Sequence, residues 1–116
     1  MSNIKDLTDK ILKFRDERNW KQFHNPKDLA ISLSLEAAEV LEHFQWKGKP
    51  GEMEKYIADH KDDLGAEMAD VLYCILLLAN EINVDLVETF EKKMAKNALK
   101  YPIEKAKDSD RKYTDL

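Results

Sequence analysis

Apolar residues recur along this chain at helical spacing. Ile4, Leu7, Ile11 and Phe14 step by three, four and three, which predicts a helix ending near Glu17. Asn19 to His24 reads as a connector carrying Trp20 and Phe23. Asn25-Pro26 is a helix start, with Asn as cap and Pro at the first helical position. The helix it opens is expected to run to Phe44 or Trp46. Lys47-Gly-Lys-Pro-Gly51 breaks it, and a weak, charged helical segment is expected over Glu52 to Ala58. The next helix covers Lys61 to Ile82, with a stripe of Leu64, Val71, Ile75 and Leu78, Met68, Leu72 and Leu76 alongside it, and Asn83 as C-cap. A last helix over Asp85 to Lys100 presents Leu86, Phe90 and Met94 and stops before Pro102. Strand alternation and solenoid repeats are absent from the sequence. The expected fold class is therefore all-α, a bundle of four to five helices spanning residues 1–102. A Lys- and Asp-rich tail, 103–116, is expected to be mobile or docked on a neighbour.

The run Val71 to Ala79, VLYCILLLA, is apolar on more than one face. A helix of that kind is covered on more than one side. Four helices of these lengths do not suffice to cover it, so the bundle is expected to be completed by a second, identical chain. The same run is too short to span a bilayer, and the start, MSNIKDLTDK, lacks the apolar core of a signal peptide. Hydrophobic residues make up 43% of the 116 and charged residues 36%, the balance of a soluble globular domain rather than a disordered chain. A net charge of −4 disfavours nonspecific binding to nucleic acid, which needs a basic face. The single cysteine, Cys74, sits in the apolar run and reads as a buried thiol in a reducing compartment, the cytoplasm.

The pattern is interrupted in two places. Glu36 and Glu39 are the only charges between Leu29 and Leu41. Glu36 falls at helical spacing with Leu29, Leu33, Val40 and Phe44, so a helix that buries this stripe carries carboxylates with it. On the later helix Glu67 stands between Leu64 and Val71, and Asp70 is the sole charge from Met68 to Asn80. Residues three apart share a helix face. If the two helices pack antiparallel across the Lys47–Gly51 break, four carboxylates converge. Such a cluster needs protons, basic partners or hard cations, and the stripes offer no Lys or Arg at helical spacing. All-oxygen ligand sets suit Mg²⁺ or Mn²⁺, ions that commonly bridge protein carboxylates to substrate phosphates. This points to metal-assisted phosphoryl chemistry with an activated water. The bland alternative is glutamates paired with lysines from elsewhere in the fold. A ferritin-like di-iron site is a poorer match, because it wants Glu-x-x-His on two helices, whereas His43 falls four after Glu39 and the later helix has no histidine.

Glu-x-x-Glu, 27 intervening residues, then Glu-x-x-Asp resembles the MazG-like all-α nucleoside triphosphate pyrophosphohydrolases. FRDERNWKQFHNPKDLA, EAAEVLEHFQW, EMADVLY, NVDL, KKMAKNALKYP and KYTDL are similar to the dCTP pyrophosphatase branch, over Phe14 to Leu116. The resemblance implies hydrolysis of a nucleoside triphosphate to monophosphate and pyrophosphate. It implies Mg²⁺ held by Glu36, Glu39, Glu67 and Asp70, with Glu39 or Glu36 acting on the attacking water. It implies a homotetramer built as a dimer of dimers. Trp20 and Trp46 match aromatics that line the base pocket, and His24 matches the histidine of a Phe-His pair. Lys93, Asn97 and Tyr101 match a polar set that meets the phosphates or sugar.

Two positions depart from the branch. Its tyrosine four after the motif aspartate is replaced by Cys74, with Tyr73 adjacent. One residue turns a helical side chain by about 100°, so Tyr73 need not reach the same place. A histidine on the first helix aligns with Ile11. Both changes touch the base pocket and leave the carboxylates alone. Two alternatives stand beside the leading reading. One is a phosphoribosyl-ATP or dUTP-type hydrolase of the same superfamily. The other is a helical oligomerisation or regulatory module that binds nucleotides without turnover.

Overall fold

Side-chain caps set where the main helices begin. In the computed structural model, which describes residues 3–116, Asn3 Oδ1 accepts from the Asp6 N–H at 2.9 Å and opens α1, Ile4–Glu17. Asn25 Oδ1 accepts from the Asp28 N–H at 2.9 Å and, with Pro26 at the first turn, opens α2, Pro26–Phe44. A short 3₁₀ turn, Lys21–Phe23, joins the two. Gly51, at φ 76°, starts α3, Glu52–Asp59. His60 ends α3 and begins α4, Lys61–Glu81. Ile82 caps α4, and Asn83, expected as the cap, lies one residue beyond it in the left-handed region at φ 58°.

Contacts divide the chain into two units, one ending at Asn83 and one of Val84–Leu116. In the first, α4 is the central element: α2 packs along it, and α1 and α3 pack against it. The buried apolar residues are few, namely Leu29, Leu64, Cys74, Leu76, Leu77 and Ala79. The other side of the same helices stays open, with Leu35 61%, Leu41 71% and Met68 62% exposed. Arg15 is buried, and its guanidinium holds Asp16 at 2.8 Å, which keeps the Asp16 carboxyl below its usual range.

In the second unit Asp85 Oδ1 accepts from the Glu88 N–H at 3.1 Å and opens α5, Leu86–Lys100. The tail, expected to be mobile or docked on a neighbour, forms a one-turn helix α6, Ile103–Ala106, and a 3₁₀ turn, Tyr113–Asp115. Six α-helices are thus present among the described residues, one more than the four to five expected. The tail returns to its own helix: Tyr113 meets Tyr101 edge to face at 6.0 Å, and the Lys100 ammonium lies 4.8 Å over the Tyr113 ring.

Candidate active site

α2 and α4 run antiparallel. His43, at the end of α2, faces Glu67 at 3.9 Å, and Glu36, two turns earlier, meets Glu67 and Asp70. One oxygen each from Glu36, Glu67 and Asp70 lies within 4.8 Å of the others. Glu36 and Glu67 are half-buried and Asp70 is exposed at the rim. One oxygen of each half-buried carboxylate, Glu36 Oε2 and Glu67 Oε2, is enclosed and has no hydrogen-bond partner. Enclosed carboxylate oxygens without partners are costly.

Both groups answer that cost in their protonation. Burial raises the Glu36 carboxyl above its ordinary value, and the neighbouring Glu39 and Asp70 raise it further. The hydrogen-bonding contact with Glu39 raises Glu67, followed by burial and by the Glu39 and Asp70 charges. Among the described residues no Lys or Arg forms an ion pair with any of the four carboxylates, and only His43 comes within 4.0 Å of one. The lysine-paired reading therefore finds no support here. Enclosed, unpartnered oxygens from an all-carboxylate set fit a hard divalent cation.

Glu39 stands at the side of this trio. It is exposed, touches Glu36 and Glu67, and lines a cleft of about 460 Å³ with Glu42, His43, Tyr56 and Glu67. A second cleft, of about 450 Å³, is lined by Lys10, Ile11, Phe14, Trp20, Asp70 and Tyr73. Phe14 is its aromatic centre. Its ring meets Trp20 at 5.7 Å and Tyr73 at 6.4 Å, both edge to face, and the Arg18 guanidinium covers it at 3.7 Å. Burial raises the Tyr73 phenol, so it stays a neutral donor at physiological pH. Asp70 thus belongs both to the carboxylate trio and to the aromatic cleft.

Tyr73 faces the cleft, whereas Cys74, its neighbour, points into the core. Lys10 was not singled out from sequence and Phe14 only as part of the apolar stripe of α1, although Phe14 stands four residues after Lys10 and three after Ile11. Trp46 and His24 line neither cleft. Trp46 is 87% exposed, at φ 66° just past α2. His24 is half-buried with Nδ1 enclosed and unpartnered. Lys93, Asn97 and Tyr101 lie on or just after α5, in the second unit. Lys93 is exposed, Asn97 half-buried, and Tyr101 Oη accepts from the Tyr113 N–H at 3.2 Å.

The chain is similar to dCTP pyrophosphatase 1 of Homo sapiens, with 37% identity over 115 residues, covering 97% of this chain and 67% of that protein. The same enzyme of Mus musculus is 36% identical over the same span. Among solved structures, a pyrophosphatase of Archaeoglobus fulgidus DSM 4304 superposes with a TM-score of 0.81 and 38% identity, covering 88% of this chain and 94% of that one. A model described as the MazG-like family matches residues 31–116. The chain belongs to the MazG-like family.

Proposed function

We propose that this nucleoside triphosphate pyrophosphohydrolase acts on dCTP-like nucleotides, releasing the monophosphate and pyrophosphate with Mg²⁺ bound at Glu36, Glu39, Glu67 and Asp70. The observation that carries the reading is the position of Asp70, shared between the carboxylate trio and the aromatic cleft. A nucleotide lying across Asp70 sets its base among Trp20, Phe14 and Tyr73 and its phosphates against the carboxylates. A divalent cation held there neutralises phosphate charge and makes water a better nucleophile near neutral pH. Glu39, exposed beside the trio, is placed to orient the attacking water and take its proton. Stacking on Trp20 and Phe14 holds the base, and the Tyr73 hydroxyl supplies a polar atom to its edge.

The experiment is incubation of the purified protein with Mg²⁺ and a panel of nucleoside and deoxynucleoside triphosphates, with products resolved by ion exchange. Monophosphate without diphosphate is the expected result. Diphosphate as first product would overturn α–β cleavage, and no turnover of any nucleotide would overturn the reading and favour the non-catalytic binding module.

The open apolar side of α2 and α4 supports assembly, proposed as a tetramer of paired dimers in the cytoplasm. Leu35, Leu41 and Met68 are large apolar side chains left in water, the kind of surface that an interface between copies would cover. In sedimentation the protein is expected to run as a tetramer and Leu41→Glu as a smaller species. A wild-type monomer would rule the assembly out.

A further inference from the structure

His43 and Tyr56 lie outside the carboxylate set yet line the cleft beside Glu39 and Glu67. They come from different helices, thirteen residues apart, and meet at 2.5 Å between His43 Nδ1 and Tyr56 Oη. Tyr56 is itself fixed. Its ring stacks on His60 at 4.0 Å and 14°, the Lys47 ammonium covers it at 4.2 Å, and its carbonyl lies 3.0 Å from His60 Nδ1. In the tautomer in which Nδ1 accepts from the phenol, the imidazole proton sits on Nε2. Nε2 is the atom that faces Glu67 Oε1, at 3.9 Å. The two oxygens of Glu67 therefore differ: Oε1 looks toward an N–H, while Oε2 is enclosed without a partner.

We infer that His43, oriented by Tyr56, is a positioning residue that holds Glu67 Oε1 and so turns Oε2 toward the cation. This rests on the reading that the carboxylate set binds metal. On that reading α3 is more than a connector, because it brings Tyr56 to the end of α2. At 3.9 Å the Nε2–Oε1 pair is an ion-pair contact rather than a hydrogen bond, so the Glu67 carboxylate would turn toward Nε2 when it is held. Partners of this kind fix a ligand's orientation, and their loss commonly weakens metal binding by about 10- to 100-fold.

The test is titration of the full-length protein with Mn²⁺, following the free-ion signal by electron paramagnetic resonance, alongside thermal melts without metal. His43→Leu and Tyr56→Phe are each expected to weaken Mn²⁺ binding by about tenfold or more. His43→Gln, which keeps an N–H donor near the Nε2 position, is expected to recover most of the loss. Tyr56→Phe retains the ring stack, so its metal-free melt is expected to stay near wild type. Wild-type affinity in both His43→Leu and Tyr56→Phe overturns the inference while leaving the metal site intact. Equal loss in His43→Leu and His43→Gln overturns it too, since a donor would not matter. A wild-type protein that leaves the Mn²⁺ signal unchanged overturns the metal reading and this inference together.

Discussion

Glu67→Gln and Asp70→Asn are each expected to lower turnover by at least roughly a thousandfold, the scale on which one member of an interdependent catalytic set acts. Helical circular dichroism is expected to stay intact, because neither side chain lies in the buried core. Glu67→Gln is also expected to stabilise the metal-free protein at neutral pH. Glu36 and Glu67 are both held above the ordinary glutamate value of 4.5. A carboxyl raised in the folded state binds its proton more tightly there than in the unfolded chain. The fold has that advantage at low pH, and loses it as pH rises past 4.5 and through the raised value. Metal-free wild type should therefore melt lower as pH climbs toward neutrality, and Glu67→Gln, carrying one charge fewer, should fall less. Mg²⁺ reverses the order: at 100 times its dissociation constant it adds about 2.7 kcal/mol to wild type, and little to either variant. Full turnover in a variant removes that residue from the ligand set. A Glu67→Gln melt below metal-free wild type at pH 7 would mean that the carboxylate stabilises the fold.

Much of this was legible because its causes are local. Asn25-Pro26 announces a helix start by capping chemistry that acts across three residues, and that cap forms; Asp85, expected from the sequence as the first residue of the last helix, is instead its cap. Glu36 and Glu67 stood out because a charge inside an apolar stripe needs compensation wherever the helix packs. What escaped depends on contacts between distant residues. Tyr113 folds the tail back because Tyr101, twelve residues earlier, offers an edge and a hydroxyl, and nothing in the Lys- and Asp-rich composition signals that. The pairing of His43 with Tyr56 likewise needs α3 to be in place. His43 was noted from sequence only as a mismatch to a di-iron pattern. Glu39 shares a face with Glu36, as its spacing requires, and touches both Glu36 and Glu67; what spacing does not give is that it also lines the adjoining cleft. A shift of one helical position from Cys74 still delivers the Tyr73 ring to the aromatic cleft, because α1 supplies Phe14 on that side.

The aromatic cleft carries the second large effect. Trp20→Ala is expected to raise KM for nucleotides by about 5- to 150-fold, corresponding to the roughly 1–3 kcal/mol that stacking contributes per base. Catalytic turnover at saturation should change much less. Trp20 lines the cleft but carries none of the carboxylates that act on the phosphates, so it grips substrate and transition state alike, and loss of uniform binding appears in KM. The loss should also be shared among the bases that the enzyme accepts, because every base presents an aromatic face. Discrimination between bases then falls to the few polar atoms in the cleft, foremost the Tyr73 hydroxyl, since Ile11 stands where the family branch has a histidine. Tyr73→Phe should accordingly leave KM for a well-accepted base within a fewfold of wild type while altering the ratio of kcat/KM between bases. Steady-state kinetics on cytosine, uracil, thymine and purine triphosphates separate the two roles. An unchanged KM in Trp20→Ala would remove the base from this cleft and require another surface, such as the exposed Trp46, to hold it.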